Sequence, residues 1–438
     1  MTSNTAVASS PARLTPGARR ALFAATLGTL IEWYDYALYG AAAGLVIGPL
    51  FFAGSGSEAS LAAFATFAVG FVARPLGGVL IGHLGDRHGR RPAMLLTILL
   101  MGAATVGIGL LPTAAAIGAA APLLLIAFRL LQGLGAGAEL AGAMTLVAEF
   151  APAKRRGFFT AVVLATPPAG IALATVAFLW ASSAGDAALL DWAWRIPFLA
   201  SAVLFFVALF IRAKLEETPE YRQANEHADE ARKRKLPVME LLRKDPVAVL
   251  IGFFSITGHN ALNYIMAVFA IGLMASPAVG MSRPEALLAV TVGSLAGVVA
   301  TPAGGWLADR LGAGRVLAIG SAAGALFAFP LFAALTSGSV AVATATIAVG
   351  YGVVIAMTSG AQGAFLTNLF PPDRRFSGVG LARELNGAIV AGLSPLIAGA
   401  LIAAAQGSTW SAALFLAACC ASSVIAVLLA RGRGTTAA

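Results

Sequence analysis

The chain has 438 residues, of which 59% are hydrophobic and 11% charged, with a formal net charge of +9 and a mean hydropathy of +0.85. Soluble domains carry roughly a quarter charged residues, so these proportions exclude an ordinary soluble protein. Apolar runs of about 20 residues or more recur along the chain, each long enough to cross a bilayer as a helix, whereas barrel strands would be shorter and alternating.

The position of the basic residues decides what the excess charge means. Of the 29 Lys and Arg residues, 24 lie in the two tails and in alternate connections, while the intervening connections hold Arg283 as their clear basic residue. This is the positive-inside pattern, and it predicts both termini in the cytoplasm. The basic excess is then topology, with anionic lipid as a partner and no nucleic acid. Cys419 and Cys420 are adjacent inside an apolar run, which implies neither a disulfide framework nor a metal site.

In chain order, residues 1–20 form a polar cytoplasmic tail without the layout of a cleavable signal peptide. Helices are expected at 21–47, 58–84, 92–112, 119–149, 157–183 and 191–213, which make a first six-helix bundle over 21–213. The stretch 214–245, LEETPEYRQANEHADEARKRKLPVMELLRKDP, is hydrophilic and punctuated by Pro237 and Pro246. It predicts a solvated cytoplasmic linker, with a regulatory or lipid-contacting element as the alternative. Six more helices follow at 246–275, 283–309, 314–335, 339–369, 376–404 and 409–431, giving a second bundle over 246–431 and a tail at 432–438. The predicted class is an all-α polytopic membrane protein of twelve transmembrane helices.

A charged hairpin appears twice. GHLGDRHGRRP occupies 82–92, and GWLADRLGAGR begins 223 residues later at Gly305, about half a chain away. Such an offset implies two homologous halves. With IEWYDYALYG at 31–40, ARPLGG at 73–78, RLLQGLGAGAE at 129–139, WRIPFL at 194–199, EETPEY at 216–221 and FPPDRRFSGVGL at 370–381, the chain resembles the metabolite:proton symporter branch of the major facilitator superfamily. The resemblance implies two pseudo-symmetric six-helix bundles around a central cavity, working by alternating access. It also implies a transporter rather than an enzyme. The chain departs from the pattern at Ala313 and Gly314, where the first hairpin has Arg90 and Arg91, and at Ala138, Pro167, Pro168, Asn368 and the pair Arg383–Glu384. These departures bear on the substrate rather than the fold.

A charge near the bilayer centre costs on the order of 3 kcal/mol or more, so each one needs a partner or a task. Glu32, Asp35, Tyr36 and Tyr39 recur on one face of the first helix, and Arg129, Gln132 and Glu139 on one face of the fourth. In the resembled family these faces line the cavity. Asp35 is the expected proton site with Arg129 as its partner, and Glu32 comes second, about 4.5 Å nearer the cytoplasm. A permanent structural ion pair is the alternative. Arg74, in the second helix, is expected in a structural ion pair.

In the second half, His259, Asn260, Asn263 and Tyr264 crowd six positions of the seventh helix. Spacings of four pair His259 with Asn263 and Asn260 with Tyr264, for substrate contact or for bonding between helices. Arg383 lies roughly 10 Å into the eleventh helix, where it either snorkels outward or reaches in with Asn386 and Gly387 to hold an anion. Adjacent residues point about 100° apart, so Arg383 and Glu384 are not expected to face the cavity together.

The gating set is Gly82, Asp86, Arg87, Gly89, Arg90, Glu149, Arg155, Asp309 and Arg310. Within it, carboxylates accept from helix N-termini and arginines in one conformation and release them in another. The predicted function is proton-coupled import of a small organic acid across the inner membrane. Uptake of a betaine, with tyrosines caging the ammonium, and drug–proton antiport are the alternatives. No cofactor other than the coupling proton, no metal and a monomeric carrier are expected.

Overall fold

A computed structural model describes residues 16–52, 56–88, 90–137, 139–213, 241, 243–371 and 374–431. Most of the tails and of the 214–245 linker lie outside the described residues.

Twelve helical stretches follow one another. α1 is Pro16–Ala42, continued by a wider π turn at Ala43–Ile47 and by Gly48–Phe51. α2 is Ser57–His88 and α3 is Arg90–Leu110. α4 joins Ala120–Ala136 to Glu139–Phe150, and α5 runs Arg156–Ser182. α6 pairs Asp186–Ala193 with Arg195–Ala213 across a sharp bend. α7 is Pro246–Met274, α8 Arg283–Leu311, α9 Ala313–Leu335, α10 Val340–Leu369, α11 Arg375–Ala404 and α12 Trp410–Arg431.

Eight of these helices are individually long and apolar enough to cross a bilayer. Their outer faces carry bare aliphatic side chains, among them Val299 at 80% and Leu326 at 79% exposure. An apolar belt of that kind is stable only against lipid. The first six helices form one bundle and the last six another. α7 is the most enclosed of the spans, because it lies between the bundles.

The charged hairpins are tighter than expected. Helix α2 continues through Asp86 to His88 and α3 begins at Arg90, so one residue separates them. In the second copy, α8 runs to Leu311, Gly312 takes φ +94°, and α9 begins at Ala313. A left-handed residue reverses the chain at little cost only when it has no Cβ, so glycine permits this single-residue break. At its other end, α8 starts with a capping box. The Ser282 hydroxyl accepts from the Glu285 amide at 3.4 Å, and the Glu285 carboxylate accepts from the Ser282 amide at 2.8 Å.

The two bundles touch on both sides of the central plane. On the side where α1 begins, Asp309 of α8 accepts from the amides of Gly157 (2.6 Å) and Phe158 (2.8 Å) at the start of α5. On the far side, a Cβ on Gly44 would stand 3.1 Å from the Gly272 amide nitrogen, so α1 and α7 meet backbone to backbone. Thr175 and Thr291 share a 2.7 Å hydrogen bond between α5 and α8, and Arg283 pairs with Asp186. The conformation is therefore closed at both ends among the described residues.

Candidate functional site

All four predicted residues of α1 are buried: Glu32 is 3% exposed, Asp35 4%, Tyr36 2% and Tyr39 0%. Their surroundings differ. Glu32 lies 3.2 Å from an Arg74 Nη2 atom, while Tyr39 shares a 2.5 Å hydrogen bond with Thr66. Tyr36 packs beneath Arg74, with the guanidinium carbon 5.0 Å from the ring centroid. The Asp35 Oδ1 atom and the Tyr36 hydroxyl are both buried without a hydrogen-bond partner.

The expected pairing of Asp35 with Arg129 is not formed in this conformation. Arg129 donates from Nη1 to Gln132 Oε1, from Nη2 to the Phe67 carbonyl at 2.9 Å and from Nε to the Thr66 carbonyl at 3.4 Å. Its guanidinium lies 4.0 Å from the centroid of the Tyr39 ring. The cause is Gly70: a Cβ there would be 2.2 Å from Arg129 Nη2, so only glycine lets the guanidinium lie against the α2 backbone. Carbonyl dipoles and aromatic faces thus replace a carboxylate as the partner of a fully buried cation. Gln132 completes the layer, donating to Thr105 Oγ1 at 3.0 Å and to the Asp35 carbonyl at 3.4 Å.

Arg74 does hold the expected ion pair, but across the bundles. Its Nε donates to Glu384 Oε2 at 3.0 Å and its Nη2 to Glu384 Oε1 at 3.4 Å, while Glu32 Oε1 lies 3.2 Å from the same Nη2. Arg74 and Glu384 are 6% and 7% exposed, so this triad of α1, α2 and α11 sits inside the protein. Glu384 is a residue that sequence reasoning passed over. Helical angles set it apart from Arg383, and they do: Glu384 turns to Arg74, and Arg383 donates to Gln362 of α10 at 3.0 Å. Both nevertheless point inward. Among the described residues, Arg383 forms no ion pair.

The α7 cluster is buried, but its members pair with other helices rather than with one another. His259 Nδ1 is 2.9 Å from Thr358 Oγ1, and Asn260 donates to Asn386 Oδ1 at 2.5 Å. Asn386 in turn donates to Thr257 Oγ1 and to the Phe253 carbonyl, each at 2.9 Å. The four-residue spacings place these residues on common faces of α7, and from there His259 and Asn260 bond to α10 and α11, the bonding between helices that stood beside substrate contact as a reading. In this conformation the amide of Asn386 is committed to α7. The Tyr264 ring stacks on Trp33 at 6.0 Å and meets Phe71 edge-on at 5.1 Å. Asn263 offers its carbonyl to the Tyr351 hydroxyl at 3.5 Å.

Of the gating set, Gly89 lies outside the described residues, as do the side chains of Asp86, Arg87, Arg90 and Glu149 and the surroundings of Gly82. The side chain of Glu139 does too. Arg155 is exposed, and Arg310 lies over the Trp306 ring at 3.8 Å. Asp309 acts as the helix-capping clamp, and Arg156, outside the predicted set, donates to Asn368 of α10 at 2.9 Å.

Known proteins place this arrangement. The model of the Major Facilitator Superfamily matches residues 25–395. The chain is 37% identical to the shikimate transporter of Escherichia coli K12 over 94% of both chains. It is 35% identical to the inner membrane metabolite transport protein YhjE of the same organism, over 94% of this chain and 93% of the relative. It is 32% identical to the proline/betaine transporter, over 89% of this chain and 78% of the relative. Among solved structures, the xylose transporter XylE from E. coli in a partially occluded inward open conformation superposes with a TM-score of 0.73 at 20% identity. That match covers 96% of this chain and 99% of that one. The D-xylose-proton symporter gives a TM-score of 0.71 at 21% identity, covering 93% and 96% of the two chains. The chain therefore belongs to the major facilitator superfamily and is a multi-pass membrane transporter with its twelve-helix fold.

Proposed function

We propose that the protein imports a small carboxylate metabolite together with protons, by alternating access, with both termini in the cytoplasm. The observation that carries the acid is the placement of the arginines. Arg383 enters the centre from α11 with a neutral partner, Gln362, and so has charge left for a substrate carboxylate, which its planar fork binds through two parallel hydrogen bonds. Nearby, Tyr36 lies against Arg74, and Tyr264 of α7 meets Phe71 of α2 edge-on across the two bundles.

The betaine reading needs open aromatic faces for a quaternary ammonium. Two of the tyrosines are already covered by arginines, Tyr36 by Arg74 and Tyr39 by Arg129, and Tyr264 packs on Trp33 and Phe71. A relative named for a carboxylate, shikimate, supports the same choice, while one named for proline and betaine keeps the alternative in the test. For the proton, Asp35 is the proposed carrier. Its carboxyl is buried, is not paired with Arg129 in this conformation and leaves Oδ1 without a hydrogen bond, and holding a charge in such a place costs several kcal/mol.

The experiment uses purified protein in liposomes under an inward proton gradient, with labelled mono-, di- and tricarboxylates, aromatic acids and betaines. Accumulation of an acid that disappears in Asp35→Asn while counterflow exchange survives is the expected result. Full accumulation in that variant removes Asp35 as the coupling site. Uptake of betaines alone overturns the acid, and proton-driven efflux of apolar cations overturns import.

A further inference from the structure

The Arg74–Glu384 contact is the one buried ion pair between the bundles among the described residues. Arg74 belongs to α2 of the first bundle and Glu384 to α11 of the second, and the two meet through two hydrogen bonds of 3.0 and 3.4 Å. The neighbour of Glu384 in sequence is Arg383, the residue assigned above to the substrate carboxylate. A carboxylate from the second bundle thus occupies a guanidinium of the first, one residue along α11 from the substrate arginine.

We infer that Glu384 is a built-in stand-in for the substrate's carboxylate, and that Arg74 is a second anchor for that carboxylate, exposed to it when Glu384 is displaced. This rests on the acid reading above. An importer that releases its cargo inside must return empty, with its centre closed. When the centre closes without cargo, Arg74 keeps Glu32 of its own bundle, but its Nε donor needs an acceptor from the second bundle, since a buried guanidinium N–H without a partner is unfavourable. Glu384 removes that obstacle, because it joins the two bundles through the same kind of hydrogen-bonded ion pair that an acid spanning Arg74 and Arg383 would make. A carboxylate is required for this: an amide keeps the shape of Glu384 but has one acceptor oxygen and no negative charge to set against the guanidinium. Glu32 cannot take the role, since it belongs to the same bundle as Arg74 and so does not join the two bundles.

The inference has a consequence for affinity. A site occupied by an internal competitor binds its ligand in proportion to the fraction of time it is vacant. Removing the competitor therefore tightens the binding of an acid, but not of its uncharged amide, which does not compete for Arg74 through charge.

The test compares wild type, Glu384→Gln and Glu384→Asp as full-length protein, by equilibrium binding of the transported acid and of its primary amide. Proteoliposome uptake is then measured with and without unlabelled acid inside. Glu384→Gln is expected to raise the acid-to-amide affinity ratio about tenfold. It is also expected to slow net uptake while internal acid restores it, since the loaded carrier still returns. Glu384→Asp keeps the charge on a shorter arm and is expected to fall between the two. It also serves if the glutamine variant does not fold. A purely structural role would move both affinities together, and that result overturns the inference. So does net uptake in Glu384→Gln that internal acid does not stimulate beyond the wild-type ratio. Wild-type protein that binds no carboxylate overturns both this inference and the acid reading, whereas an unchanged ratio with intact acid transport overturns the stand-in alone.

Discussion

Asp309→Asn tests whether the clamp between the bundles sets their conformation. In the closed state, both Asp309 oxygens are used, accepting at 2.6 and 2.8 Å from the first free amides of α5, where the positive end of a helix faces a carboxylate. Asparagine has one acceptor oxygen, so its NH2 group must face the second amide. Charge-assisted hydrogen bonds contribute about 1.5–3 kcal/mol each. Losing one, and weakening the other at this half-buried site, costs the closed state about 2 kcal/mol, a shift of roughly 30-fold toward opening on this side. The assay is the alkylation rate of a single cysteine at Ala361 of α10, which is fully buried in this conformation, by a membrane-impermeant maleimide added to that face. The native Cys419 and Cys420 are first replaced by serine. A rise of more than tenfold is expected from the same shift in population. An unchanged rate, with the protein folded and its melting temperature intact, would refute the idea that these two bonds hold the gate shut. Gly157→Ala supplies an independent check, since its Cβ would stand 2.6 Å from Asp309 Oδ1 and from the Gly305 carbonyl. It should open the same gate by collision rather than by lost charge.

Other outcomes follow from the same geometry. Gly70→Ala drives a methyl into Arg129 and should destabilise the first bundle by about 3 kcal/mol or more, because a buried cation loses its carbonyl partners. The fall in melting temperature measures it, and a variant as stable as wild type would show that Arg129 has another rest position. Removing the far-side pair by Asp186→Asn should cost under about 1 kcal/mol, since the aspartate is 67% exposed and solvent screens it. A large fall in thermal stability would contradict that reading. Asn386→Ala frees Asn260 and Thr257 together, so it should destabilise α7 against α11 by about 1–3 kcal/mol while leaving the choice between acid and amide unchanged.

Much of this architecture is legible along the chain. The spans, the alternation of charge and the repeat of the 82–92 hairpin each depend on local composition or on spacing, and these do not need a folded partner to be read. The site is legible only in part. Arg129 is recognisable as a buried cation in need of compensation, but the helical pattern points to Asp35 as its partner. Nothing in the local pattern says that Gly70, on another helix, clears a path to backbone carbonyls. The sequence likewise sets Asn386 beside Arg383, its near neighbour on the helix, although its hydrogen bonds run to α7.

What the sequence determined by itself is the class of molecule, because the cost of exposing apolar groups to water and charges to lipid acts on each segment separately. It also placed Glu32, Asp35, Arg74, Arg129 and Arg383 at membrane depth. Which of them meet was decided by the tertiary structure alone. Arg74 and Glu384 are 310 residues apart, and the choice between Glu32, Asp35 and Glu384 as partners depends on how two bundles close on each other. A pairing of that kind is a property of distances of about 3 Å in three dimensions, which helical periodicity along one segment does not encode.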